Sequence, residues 1–248
     1  MKTRAREGGF TLVEIAIVLV IIGLLLGGIL KGQELITSAR VRNLADQGAA
    51  VQAAYYGFVD RYHAIPGDMP TTDVCGAIGN VWASCGSGNG PGGNGDGNIN
   101  NNVWEEASAL WAHLSGAGFL QGAYQGGANS SGAYIGPPAL APKNPWEGLL
   151  LLGRTSNYLT LTPGPTPARL HLIIGNNIPV NVMRELDVKI DDSAPASGVL
   201  RAPVTNPTVF SPVGANTAAE PTCVSTVGGQ QIWDINGASV GCNGYYLF

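Results

Sequence analysis

The chain has 248 residues, thirteen of them basic and seventeen acidic, for a net charge of −4; that balance excludes a non-specific nucleic-acid binder, which needs a basic footprint to displace counterions. Charged residues make up only 12% against 45% hydrophobic, with 36 glycines and 16 prolines, so loops are abundant while most of the chain is not intrinsically disordered. Much of the apolar content sits in one N-terminal block, which argues against a freely soluble cytoplasmic enzyme.

The chain opens on a basic stretch with Lys2, Arg4 and Arg6 against Glu7, closed by Gly8 and Gly9. Phe10 to Leu30 follows, with Glu14 as its one charge. This block is long enough to cross a bilayer as a helix of about 31 Å. The basic leader favours a cytoplasmic N-terminus and an outward remainder. An ordinary signal peptide has a shorter apolar run with its small-x-small cleavage site behind it; here the small pair lies ahead of the run. A plain signal anchor fits the length but leaves Glu14 unexplained, since a carboxylate inside a span costs about 2–3 kcal/mol and marks function by default.

The basic leader, Gly9, the run Phe10-Thr-Leu-Val-Glu14 and the apolar helix together resemble the prepilin class III signal of type IV pilins and type II secretion pseudopilins. The resemblance implies cleavage by a prepilin peptidase/methylase between Gly9 and Phe10, with N-methylation of Phe10. It makes Glu14 the assembly acid that pairs with a neighbour's N-terminal amine, so that one contact removes two desolvation penalties. The implied partners are that peptidase, other pilin or pseudopilin subunits and an inner-membrane assembly platform. The frequent mid-helix proline of the family is absent, Lys31 standing at the matching position. Gly23 and Gly27 form a GxxxG followed by Gly28 and Gly32, a spacing that lets membrane helices approach closely.

The helical pattern continues past the apolar block. Val41, Leu44, Gly48, Val51, Tyr55, Phe58 and Tyr62 recur at three- and four-residue intervals, with polar residues between them, until Pro66-Gly67-Asp68 closes the segment. The expected organisation is a leader over 1–9, a transmembrane and stalk helix over 10–62, and a periplasmic or extracellular head over 63–248. The fold class is α+β, the lollipop architecture of pilins, with an antiparallel sheet lying against the stalk.

Within the head, 86–97 reads as a low-complexity loop. Its end, Asn94-Gly-Asp96-Gly-Asn98-Ile99, matches the middle of an EF-hand loop, with oxygen side chains two apart and a turn glycine. The expectation is a Ca²⁺ site on Asn94, Asp96 and Asn98, closed by Glu105 or Glu106. Gly92 and Val103 occupy the first and twelfth positions, so the usual bidentate glutamate is missing. Val103–Leu120 reads as an amphipathic helix, and 148–152, 157–161 and 169–174 as strands. A helix starts near Pro179 with Val182, Leu186 and Ile190 on one face, although alternation of Leu186, Val188 and Ile190 also permits a strand. Gln231–Ile235 and Tyr245–Phe248 are the last expected strands. The runs Tyr62–Asp68, Gly93–Asn98, Trp104–Leu114 and Lys189–Asp192 resemble a group of large proteobacterial pilin-like proteins that brings no defined activity.

Cys75, Cys85, Cys223 and Cys242 are an even set in a head expected outside the cytoplasm, which implies two disulfides with three possible connectivities. Local closure favours Cys75–Cys85 and Cys223–Cys242, the second resembling the C-terminal disulfide loop of many pilins. Gly237-Ala-Ser239-Val-Gly241 fits GxSxG, and 88–93 fits GxGxxG, without the strand context that either motif requires. His63, His113 and His171 are scattered, and Asp187, Asp191 and Asp192 read as a solvated helix end. The expected function is therefore a non-enzymatic structural subunit, minor or specialised given its large head, of a type IV pilus or a secretion pseudopilus. It would start as a single-pass inner-membrane protein and end in a periplasmic or surface filament. The alternative is a membrane-anchored surface-binding module that never polymerises.

Overall fold

One helix, α1, runs unbroken from Leu12 to Tyr62 in the computed structural model. The structure describes residues 11–79, 82, 85, 91–99, 104–127, 139–161, 164–175, 177–204 and 223–248. The chain divides into two units, Met1–Arg40 and Val41–Phe248, and α1 begins in the first and ends in the second. In the first unit the large apolar side chains from Leu12 to Ile36 are exposed, Leu12 by 90%. In the second unit Val41, Leu44, Gly48, Val51, Ala54, Tyr55 and Phe58 are buried, the three-and-four spacing of one helix face. Tyr62 is half-buried on the same face, with its ring 4.6 Å from Phe58. The helix stops where His63 takes a left-handed φ of 53° and Pro66 follows.

Helix α2, Thr71–Ala77, was not anticipated from the sequence. It is only seven residues long and starts directly after Pro70, too short to show a period. Helix α3 spans Trp104–Gly116 and is buried on nearly every side from Glu106 to Leu114. It is thus a core helix rather than the expected amphipathic one, as its run of alanines and tryptophans allows. It ends on Gly118 at φ +81, with Phe119 N–H donating to the Leu114 carbonyl and Gly118 N–H to that of Ser115, the Schellman arrangement that absorbs orphan carbonyls. Helix α4, Val180–Ile190, settles the helix-or-strand ambiguity. Val182, Met183 and Leu186 are buried while Val188 stays 56% exposed, which a strand face shared with Leu186 would have buried.

Strands β1 (Leu151–Thr155), β2 (Arg169–Ile173), β3 (Leu200–Arg201) and β6 (Tyr245–Leu247) form one antiparallel sheet in the order β1-β2-β6-β3. Strand β6 therefore lies between two others, with His171 opposite Leu247 and Arg201 opposite Tyr245. It meets the second part of α1: the Tyr55 and Phe248 rings are 6.3 Å apart, and a Cβ on Gly48 would touch Tyr246. The expected sheet on the stalk is thus present within this unit. The strand expected over 157–161 is not. Tyr158 makes an isolated bridge to Pro203, flanked by Leu159 N–H donating to the Ala202 carbonyl at 2.9 Å and Val204 N–H to the Asn157 carbonyl at 3.4 Å. Strands β4 (Val224–Val227) and β5 (Gln230–Trp233) form a separate hairpin around Gly228 and Gly229, at φ +60 and +84, the positive values a two-residue turn demands.

Two disulfides join Cys75 to Cys85 and Cys223 to Cys242, the local pairing favoured from the spacing. The second ties the start of β4 to the approach to β6, where Cys242 N–H donates to the Ile178 carbonyl at 2.9 Å. Closing a loop of this length restricts the unfolded chain by about 3 kcal/mol. Replacing Cys223 and Cys242 together by serine is expected to lower stability by about that amount, read as a drop in Tm that the Cys75–Cys85 bond does not rescue.

Candidate functional site

The start of α1 is held by a reciprocal pair. Glu14 N–H donates to Thr11 Oγ1 at 3.3 Å, while Glu14 Oε2 accepts from Thr11 N–H at 2.8 Å and from the Thr11 hydroxyl at 2.9 Å. This is a capping box, T-x-x-E, which satisfies two of the helix's orphan donors. The pattern stands in the sequence, but the unusual charge drew attention to Glu14 and away from its local partner. Glu14 Oε1 has no partner among the described residues. Beyond the cap, the helix carries an apolar window of mean hydropathy 2.8, none of it buried by the chain itself. A Cβ added at Gly23, Gly27, Gly28 or Gly32 would meet nothing within 4 Å. No intrachain contact in this structure therefore demands glycine there. Gly9 and Phe10, the expected cleavage pair, lie outside the described residues.

Residues 4–30 match the family model described as the prokaryotic N-terminal methylation motif. The chain carries that methylation motif. Such a motif is the class III signal of type IV pilin-like and pseudopilin precursors, the signal that prepilin peptidase processes, and with the apolar helix it supports membrane anchoring. No curated protein and no solved structure matches the chain.

Outside the methylation motif, the glycine loop is organised around an acid the sequence reading did not assign to it. Asp68 is buried, and its carboxylate accepts from Gly95 N–H at 2.9 Å, Asp96 N–H at 3.0 Å and Gly97 N–H at 2.9 Å. Positive φ at Gly95 (+77°) and Gly97 (+85°) turns successive amides inward, so the loop is a backbone nest for an anion. Asn94 and Asp96 serve the same turn, Asn94 Oδ1 accepting from Asp96 N–H and Asp96 Oδ1 from Asn98 N–H, both at 2.9 Å. Of the calcium ligands expected from the sequence, Asn94, Asp96 and Asn98 lie in this turn and Glu105 and Glu106 in the first turn of α3. Asp96, Glu105 and Glu106 do not gather into one carboxylate cluster; Glu105 faces solvent and Glu106 is 2% exposed within α3. Both acids lie in the first turn of α3, where the helix dipole favours negative charge.

The remaining candidates separate cleanly. Ser239 of the GxSxG follows a 3-10 turn at Ile235–Gly237 instead of a strand, so the nucleophile-elbow context is missing. Residues 88–90 of the GxGxxG lie outside the described residues. His63 is exposed. His113 is fully buried, its Nδ1 accepting from Gly67 N–H at 2.9 Å and its Nε2 meeting the Pro91 carbonyl at 2.9 Å. That geometry fixes the neutral tautomer with the proton on Nε2. His171 is equally buried, its Nδ1 donating to the Arg169 carbonyl at 3.0 Å. Asp187, Asp191 and Asp192 lie together at the end of α4, and among the described residues they are the cluster of His, Cys, Asp and Glu groups able to hold a metal ion.

Burial lowers the pKa of His113 and of His171 to about 4, against a partial opposing pull from the Pro91 and Arg169 carbonyls. The unfolded chain binds these protons near pH 6.5 and the folded chain does not, so stability falls as pH drops from about 6.5 to 4. Each histidine contributes on the order of 3 kcal/mol at the bottom of that window. Chemical denaturation at pH 7 and pH 5 is expected to show this loss, and His113→Gln to flatten the slope.

Proposed function

We propose that the chain is a structural, non-enzymatic subunit of a type IV pilus or a type II secretion pseudopilus, a minor or specialised one in view of its large head. It is cut between Gly9 and Phe10 and N-methylated on Phe10, and it assembles through the apolar part of α1. The observation that carries this reading is a single carboxylate, Glu14, at the head of the apolar, uncovered first part of α1. Glu14 uses Oε2 to cap its own helix, which leaves Oε1 for a neighbour's N-terminal ammonium. Pairing the two in an apolar setting offsets the desolvation of both, and a misplaced subunit forfeits that gain. Cleavage after Gly9 retains Thr11 and hence the cap. The glycines at 23, 27, 28 and 32, unused inside the chain, suit close packing of neighbouring helices.

N-terminal mass spectrometry of the membrane fraction tests the processing step. The expected mature chain begins with N-methylated Phe10; an intact Met1, or cleavage after Gly28, would contradict the reading. Two substitutions test the acid. Glu14→Gln keeps an oxygen for the Thr11 cap but removes the charge, and it is expected to leave cleavage and insertion intact while reducing incorporation into filaments. Glu14→Ala loses the cap as well, a further cost of about 1 kcal/mol at the helix start. Normal incorporation of Glu14→Gln would show that the charge has no part in assembly.

A further inference from the structure

The register of the four-stranded sheet puts Arg169 and Arg201 on one face. Arg169 and Ile173 are the first and last residues of β2, so alternation points them the same way. Ile173 and Arg201 both stand opposite Tyr245, which adds Arg201 to that face. Tyr246, the next residue of β6, points to the other side, where a Cβ on Gly48 of α1 would touch its ring. Beside the two arginines, the segment leading into β2 and the turn leading into β3 enclose a cleft of about 520 Å³. Among the described residues no Asp or Glu side chain lines it. Asp192 bonds the hydroxyl of Ser197, a wall residue, at 2.5 Å but is not itself part of the wall.

Arg201 is held in position by the chain itself. Its Nε donates to the Gly198 carbonyl at 3.0 Å and its Nη1 to the Leu159 carbonyl at 3.3 Å. The guanidinium carbon lies 5.5 Å from the centre of the Tyr158 ring, a cation–π contact. Tyr158 is fixed in turn, its hydroxyl donating to the Pro167 carbonyl at 2.8 Å. These contacts leave Nη2 of Arg201 without a partner among the described residues. The Arg169 guanidinium and the Thr166 hydroxyl, which also line the cleft, have no hydrogen bond or ion pair there either.

Two guanidinium groups on one cleft that has no acid of its own suit an anionic oxygen group, which they bind by charge-assisted hydrogen bonds. A cleft of this size takes a ligand larger than a lone anion. The rest of the wall sets the hydroxyls of Thr166 and Ser197 beside the C–H surfaces of Pro165 and Pro167, the two kinds of surface that a sugar ring presents at its edge and on its faces. An extended peptide is poorly served. Pro165 and Pro167 offer it no N–H, and the carbonyls of Leu159, Pro167 and Gly198 already accept from Arg201 and Tyr158. We propose that this cleft binds an acidic saccharide of the uronic acid type, with its carboxylate on Arg169 and Arg201. Binding there requires no second subunit, so it stands apart from filament assembly.

Calorimetric titration of the full chain in detergent micelles with trigalacturonic acid tests this site. A saturable heat is expected, with weaker or no binding of uncharged maltotriose, of triglutamate and of inorganic phosphate. Arg169→Gln, at an exposed position without a partner, is expected to keep the Tm and to weaken trigalacturonate binding roughly tenfold. Arg201→Lys keeps the charge but loses the planar fork, and it is expected to weaken binding as well. No saturable heat at millimolar trigalacturonate, or unchanged affinity in both variants, would overturn the proposal. Equal or tighter binding of triglutamate would assign the cleft to an acidic peptide, equal affinity for phosphate to a bare anion, and equal affinity for maltotriose to a neutral sugar; each of these overturns it too.

Discussion

A helix face of about twenty apolar residues that its own chain leaves uncovered is the constraint from which the rest follows. At roughly 25 cal/mol for each Å² of apolar surface, leaving it in water is far costlier than the marginal stability of a domain can offset. Lipid before assembly and neighbouring helices afterwards are the two environments that relieve it. Both leave the backbone satisfied, because a helix closes its own hydrogen bonds except at the ends. The N-terminal end is where the apolar segment carries its one carboxylate, Glu14, and the capping box with Thr11 uses one of its two oxygens on the orphan donors.

The second unit solves the opposite problem. It has few charges, many glycines and large loops, so it must satisfy polar groups by local backbone devices rather than ion pairs. Asp68 in its nest of amides, His113 between Gly67 and Pro91, and Asn144 accepting from Trp146 and Gly148 N–H while donating to the Ile174 carbonyl each pin a loop to the core through one side chain. Disulfides close two of the remaining excursions. The three ion pairs among the described residues, all three or four residues apart along the chain, add little by comparison.

What could be read from the sequence was whatever a short-range rule governs. The buried stripe from Val41 to Phe58 follows from helical periodicity, α4 from Pro179 and its apolar spacing, and the disulfides from loop closure. The strand expected at 157–161 is reduced to an isolated bridge because its pairing depends on a segment around Pro203, more than forty residues away. The glycine loop shows a similar limit: Asn94, Asp96 and Asn98 have the spacing of a cation loop, and the sequence does not show that the amides of the same turn answer to Asp68, nearly thirty residues upstream. The composition of the two segments hinted at a special turn in each, not that one fills the other. At Glu14 the local rule was present in full, and the capping role was overlooked because the charge invited a more distant partner.

The most direct measurement of the central claim is covalent capture between neighbouring α1 helices in sheared filaments. The native cysteines are paired with one another, so a cysteine introduced at Ile17 or Leu24 supplies the one free thiol. If assembly runs through this helix, oxidation yields disulfide-linked dimers in the filament fraction, and Glu14→Gln removes them. Filaments that contain the chain yet give no dimer from either position, or a chain found only as an uncrosslinked membrane monomer, would contradict assembly through α1.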